Sequence, residues 1–142
     1  MIRKKGSAIW QGSLKEGSGT ISTETGVMNN QPYGFNTRFE GKKGTNPEEL
    51  IAAAHASCFS MALSVVLAEH GLTAEEISTT ATVSLEKVDG DFTITRSHLD
   101  MTAKIPGADE ATFRKAAEAA KANCPVSRLL NAEISLEAKL MS

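Results

Sequence analysis

The sequence carries no surplus of either charge: 15 Lys and Arg stand against 17 Asp and Glu, a formal net charge of -2. Its longest basic cluster is the RKK at the start. That is no footprint for a phosphate backbone or an anionic bilayer, so neither nucleic acid nor membrane is expected as a partner. The opening MIRKKGSAIWQGSL has basic residues but no apolar run and no cleavage-like site behind them, so export is not expected and a cytoplasmic protein is. Cysteine is scarce: Cys58 and Cys124 are far apart in the chain. In a reducing compartment a lasting structural disulfide is the weaker reading, and a transient one stays open. No second cysteine pair or histidine cluster completes a metal set, so no metal or other cofactor is expected. The GSGT at 17–20 lacks the third glycine and the helix of a dinucleotide loop, and no internal repeat is seen.

What is present fits one ordinary domain over 142 residues, with 41% hydrophobic content, enough for a core. Residues 3–23 read as two short strands around the glycine-rich turn at Glu16 to Gly19, followed by a turn-rich stretch. YGFNTRFEG then reads as a third strand, with Tyr33, Phe35, Thr37 and Phe39 on one face and Asn36 and Arg38 on the other. The strongest helix start follows: Asn46 as N-cap, Pro47 in the first position, Glu48 and Glu49 in the first turn. The helix should run to Glu69 or His70, where Gly71 supplies a left-handed stop.

No Asp, Glu, Lys or Arg occurs between Leu50 and Ala68, and apolar or small side chains lie on every side of this helix. A membrane span is the rival reading, disfavoured by His55, Ser57, Ser60 and Ser64 and by acidic flanks. Burial nearly all round is expected, with a second subunit helping to cover it. Residues 78–105 alternate as a hairpin about Asp89–Gly90, with Ala81, Val83, Leu85, Phe92 and Ile94 inward. Residues 108–124 read as an amphipathic helix through Phe113, Ala116, Ala117 and Ala120. A short helix restarts at Pro125, and a last strand carries Ile134, Leu136, Ala138 and Leu140 on one face. Strands, long helix, hairpin, two helices and a strand, in that order, argue for an α+β fold with antiparallel sheet.

Cys58 lies on the arc of Leu50, Ile51, Ala54, Met61, Ala62 and Val65, and a buried free cysteine is commonly a small hydrophobe. To be a nucleophile it needs a lowered pKa, and about three turns into its helix the dipole no longer supplies one. His55, one turn earlier, gives a Cys-His pair of hydrolase type, but no third residue or oxyanion donor pair accompanies it. A packed core histidine is the plainer account. Arg38 is the other cation; its guanidinium stabilises a thiolate without competing for protons, although a solvated strand charge explains it equally well. Glu48 suits a bidentate hold on such an arginine, or simply the helix start. Cys124 stands beside Pro125 at a helix start, where partial positive charge favours thiolate.

Taken together, QPYGFNTRFEGKKGTNPEELIAAAHASCFSMALS and CPVSRLL resemble the OsmC/Ohr family of thiol-dependent peroxidases. The resemblance spans nearly the whole chain. It implies an OsmC/Ohr-like fold, with antiparallel sheets around a long buried central helix in an intertwined homodimer whose sites draw on both subunits. It further implies an antioxidant stress protein acting preferentially on organic hydroperoxides, with Cys58 peroxidatic, Cys124 resolving, and Arg38 and Glu48 in the pocket. The disulfide so formed is reopened by a thiol reductant, a dithiol such as a lipoylated protein. Glu48 and Cys58 stand about 15 Å apart along one straight helix, so a pocket using both needs two copies of it. The apolar neighbours Phe35, Phe39, Phe59 and Met61 suit a peroxide's organic tail, or ordinary packing. The rival from another class is a non-catalytic stress protein or apolar-ligand carrier with structural thiols.

Overall fold

The computed structural model describes residues 1–141. Contacts within the chain group into two compact units, divided between Leu50 and Ile51.

The first unit opens with strands β1 (Gly6–Gln11), β2 (Ser18–Thr23) and β3 (Gln31–Tyr33), an antiparallel sheet in that order. Trp10, Gly19 and Tyr33 form one cross-strand row. The rings of Trp10 and Tyr33 meet, centroids 5.4 Å apart, because Gly19 between them has no side chain. A Cβ there would stand 2.5 Å from the Tyr33 ring and 2.7 Å from that of Trp10.

The third strand ends sooner than the alternation suggests. Phe35–Phe39 is a short helix, α1, not a strand, and Arg38 sits in its last turn. The spacing of Phe35 and Phe39 fits a strand face and equally the i, i+4 pair of a helix. Their rings touch at 4.9 Å between centroids, and the Thr37 hydroxyl closes the turn, accepting from the Gly34 N–H at 2.9 Å and donating to the Thr45 carbonyl at 2.8 Å. Among residues 1–50, Thr37 alone is buried.

Helix α2 (Pro47–Glu69) begins as its start signals predict, with the Asn46 side chain accepting from the Glu49 N–H at 2.8 Å. It stops before Gly71, whose φ is 70°. It is not covered all round: His55, Phe59, Leu63 and Leu67 form one buried row, while Met61 is 73% and Val65 60% exposed. One row at i, i+4 spacing is what the chain's own core can cover. The helix has the length and apolarity of a membrane span; its row of buried residues is that of a core helix.

The second unit continues with β4 (Glu76–Val88) and β5 (Asp91–Lys104), an antiparallel hairpin turning at Asp89 and Gly90, both with positive φ. Helix α3 (Glu110–Asn123) is capped by Asp109, α4 (Pro125–Leu129) follows at once, and β6 (Glu133–Met141) closes the sheet. β6 pairs with β5 in parallel, so this sheet is mixed rather than antiparallel throughout. The helical crossover returns the chain in the same direction. A bulge between Ser84 and Leu85 shifts the hairpin register. Beyond it Phe92, expected inside, is 57% exposed at the hairpin's end with Lys87 over its ring. The core is built here from Phe59, Leu63, Leu67, Leu99, Met101 and Phe113, with the alanines of α3 and Cys124.

Candidate functional site

In the first unit, α1 and the start of α2 bring Arg38 and Glu48 together. The Arg38 Nε donates to Glu48 Oε1 at 2.8 Å and its Nη2 to Oε2 at 3.0 Å. This two-point fork fixes the guanidinium plane. Its carbon lies 5.3 Å from the Phe39 ring centroid, which braces it further. Arg38 then forms part of the wall of a cleft of about 290 Å³, lined otherwise by Trp10, Leu14, Tyr33, Phe35, Phe39 and Pro47 with Gly34. One cation in an apolar cleft suits a molecule with an organic body and a polar end.

Of the residues read from sequence as tail-binding, Phe35 and Phe39 line this cleft and Phe59 and Met61 do not. Phe59 is fully buried in the core and Met61 is on the exposed side of α2. Trp10, Leu14, Tyr33 and Pro47 went unrecognised. Trp10 and Tyr33 are the chain's single tryptophan and single tyrosine, a scarcity that marks them, but their meeting depends on strand register.

In the second unit, Cys58 on α2 and Cys124 at the start of α4 are both free thiols. They are near enough to act on one another's ionisation. Burial pushes the Cys58 thiol up, and Cys124 adds to that, against a hydrogen bond from the Val126 N–H. Cys124 goes the other way: burial raises it, but the hydroxyl and N–H of Ser127, the Cys58 thiol and the Val126 N–H together bring it down. Yet Cys124 is fully buried and Cys58 only partly so, which makes Cys58 the sulfur a solute can reach. A reactive thiolate at Cys58 calls for a cation beside it.

His55 is buried as the plainer reading expects, but it is not inert filler. Its Nδ1 lies 2.6 Å from Ser97 Oγ and its Nε2 2.8 Å from Ser127 Oγ. Burial holds its pKa below the ordinary value. It makes no nucleophile-base pair with Cys58 of the kind a hydrolase needs; its bonds go to serines. Among the described residues no group of three or more His, Cys, Asp or Glu could hold a metal ion.

Comparison with known proteins gives the family and the fold. The family described as OsmC-like protein matches residues 40–139. The chain is 60% identical over 141 residues to Peroxiredoxin OsmC of Escherichia coli, covering 99% of each. Its fold matches the crystal structure of the organic hydroperoxide resistance protein OhrB of Bacillus subtilis with a TM-score of 0.68 at 26% identity, covering 96% of this chain and 98% of that one. An OsmC-like protein of Vibrio cholerae, at 17% identity, shares the fold with a TM-score of 0.77 over 97% of this chain and 99% of the other.

Proposed function

The chain belongs to the OsmC-like family and is a cysteine-based peroxidase; from that premise we propose that it reduces organic hydroperoxides in preference to hydrogen peroxide, in the cytoplasm, during stress. The Cys58 thiolate attacks the distal oxygen of ROOH. The O–O bond breaks, the alkoxide takes up a proton and leaves as alcohol, and Cys58 becomes a sulfenic acid. Arg38 supplies the cation that Cys58 calls for, and Glu48 holds its guanidinium in the plane required. Trp10, Leu14, Tyr33, Phe35 and Phe39 receive the organic tail.

Cys124 then attacks the Cys58 sulfenic sulfur. A disulfide forms, hydroxide leaves, and with the proton Cys124 gave up it becomes water. An external dithiol, such as a lipoylated protein, reopens the bond through a mixed disulfide that its second thiol resolves. The observation that carries the reading is the pairing of a half-buried Cys58 with a buried Cys124, two free thiols near enough to act on one another's ionisation.

We also propose a homodimer in which Arg38 of one copy serves Cys58 of the other. The uncovered face of α2, with Leu50, Met61 and Val65 at 36%, 73% and 60% exposure, supports it, since a stable apolar surface of this kind seeks cover. The test is peroxide consumption with dihydrolipoamide or a monothiol as reductant. Cumene hydroperoxide should disappear faster than hydrogen peroxide at equal concentration, and the dithiol should sustain turnover better. Equal rates for both peroxides would remove the substrate preference from the account.

A further inference from the structure

The peroxidase cycle leaves one buried cluster without a task. His55 and Ser97 are fully buried and Ser127 nearly so, and the three are joined end to end, Ser97 Oγ to His55 Nδ1 and His55 Nε2 to Ser127 Oγ. The row does not stop at Ser127. Its N–H bonds the Cys124 sulfur at 3.4 Å, and its hydroxyl is among the groups that bring that thiol's pKa down. The ionisable side chains that meet here are His55 and Cys58 of α2 and Cys124 itself; Ser97 of β5 and Ser127 of α4 contribute hydroxyls.

Proton counting gives the cluster a direction. A serine hydroxyl has one proton, and it reaches the Cys124 sulfur only if Ser127 accepts, rather than donates, at His55. His55 must then carry its proton on Nε2, and a neutral imidazole so protonated accepts at Nδ1, which Ser97 can satisfy. Burial keeps His55 neutral, so it acts as an oriented dipole and not as a counter-ion. With Cys124 as a thiol, every bond in the row can point the other way. The row is thus matched to both protonation states of one sulfur.

We propose that His55, acting through Ser127, is a positioning residue for Cys124, aiming the Ser127 hydroxyl at its sulfur and so setting the rate of the disulfide-forming step. In that step the Cys124–Cys58 sulfur bond forms, the Cys58 S–O bond breaks, and hydroxide departs with the electron pair. The proton lost by Cys124 ends in the water released. The role rests on the peroxidase reading above, because without a sulfenic acid on Cys58 there is nothing for Cys124 to attack.

The test is a single-turnover time course with cumene hydroperoxide, following sulfenic acid and disulfide separately by mass, in Ser127→Ala, Ser127→Thr, His55→Leu and His55→Gln. In Ser127→Ala and His55→Leu the disulfide step should slow by about tenfold or more relative to the sulfenate step, the scale of a lost hydrogen bond to a charged sulfur. Ser127→Thr restores the hydroxyl and should restore the ratio; His55→Gln, which can still donate, should recover part of it. If the ratio is unchanged in Ser127→Ala, or Ser127→Thr fails to recover it, the role is wrong and His55 is a packing residue. A second readout is independent of peroxide: in a Cys58→Ser background, the pH midpoint of the Cys124 thiolate's ultraviolet absorbance should rise with Ser127→Ala. An unmoved midpoint overturns the proposal even where the parent forms disulfide. A shifted midpoint in a protein that never forms sulfenic acid would instead leave the relay standing and remove the peroxidase mechanism.

Discussion

Residues 1–50 and residues 51–141 solve opposite problems. The second region holds every buried hydrophobic side chain described, and both sulfurs lie within or beside that core. The first has none; its structure rests on strand ladders, a threonine-closed turn, an aromatic pair across a glycine and one forked ion pair. Packing fixes the sulfurs, and hydrogen bonding with ring contact fixes the charge and the apolar cleft. Reactivity in this chain is divided in the same way. In the proposed mechanism the thiols carry the electrons, and the region without a core supplies the cation that acts on them.

The division can be broken at several points. Phe113→Ala should be the most damaging to stability, about 3–5 kcal/mol from a fully buried phenylalanine, read as a lower denaturant midpoint. Next, Arg38→Met should slow the reaction of Cys58 with cumene hydroperoxide about 100-fold while leaving that midpoint nearly in place. A loss of stability as large as that of Phe113→Ala would mean that Arg38 is structural. Gly19→Ala, which forces a Cβ against the Trp10 and Tyr33 rings, should cost about 1–2 kcal/mol. It should also raise KM for bulky hydroperoxides more than for hydrogen peroxide; equal effects on both would detach the cleft from substrate binding.

The smallest effect is one of pH. His55 has a folded pKa below its unfolded value of 6.5. Below that pH the unfolded chain binds the extra proton first. The stability it contributes is therefore complete above about 6.5 and declines as pH falls towards the folded pKa, by at most about 1.4 kcal/mol per pH unit. Urea melts of the parent and His55→Gln across this range should converge at low pH. Parallel curves would mean that His55 is not held neutral.

These regions were also unequally legible. Helix α2 was readable because Asn46, Pro47 and Gly71 are local signals that act where they stand, and the Asp89–Gly90 turn for the same reason. α1 was misread because the spacing of Phe35 and Phe39 satisfies two periodicities, and Thr37's partners decide between them. Cys58 and Cys124 were found as candidates, but their states were not, since the Ser127 and Val126 donors belong to a turn whose aim depends on packing. His55 shows the limit most plainly: its hydroxyl partners are 42 and 72 residues away. No local spacing connects them. The all-round apolarity of α2 was real, but a single chain covers only one row of it.

The central claim is that Cys58 meets the peroxide and Cys124 closes the disulfide, although burial pushes the Cys58 thiol up and the donors around Cys124 bring that one down. The most direct test is intact mass and free-thiol count after one equivalent of cumene hydroperoxide, in the parent, Cys58→Ser and Cys124→Ser. The parent should lose both thiols and about 2 Da. Cys124→Ser should gain about 16 Da as a trapped sulfenic acid, and Cys58→Ser should not react. Oxygen gained by Cys58→Ser with none on Cys124→Ser would reverse the two roles, and survival of both thiols in the parent would contradict the account altogether.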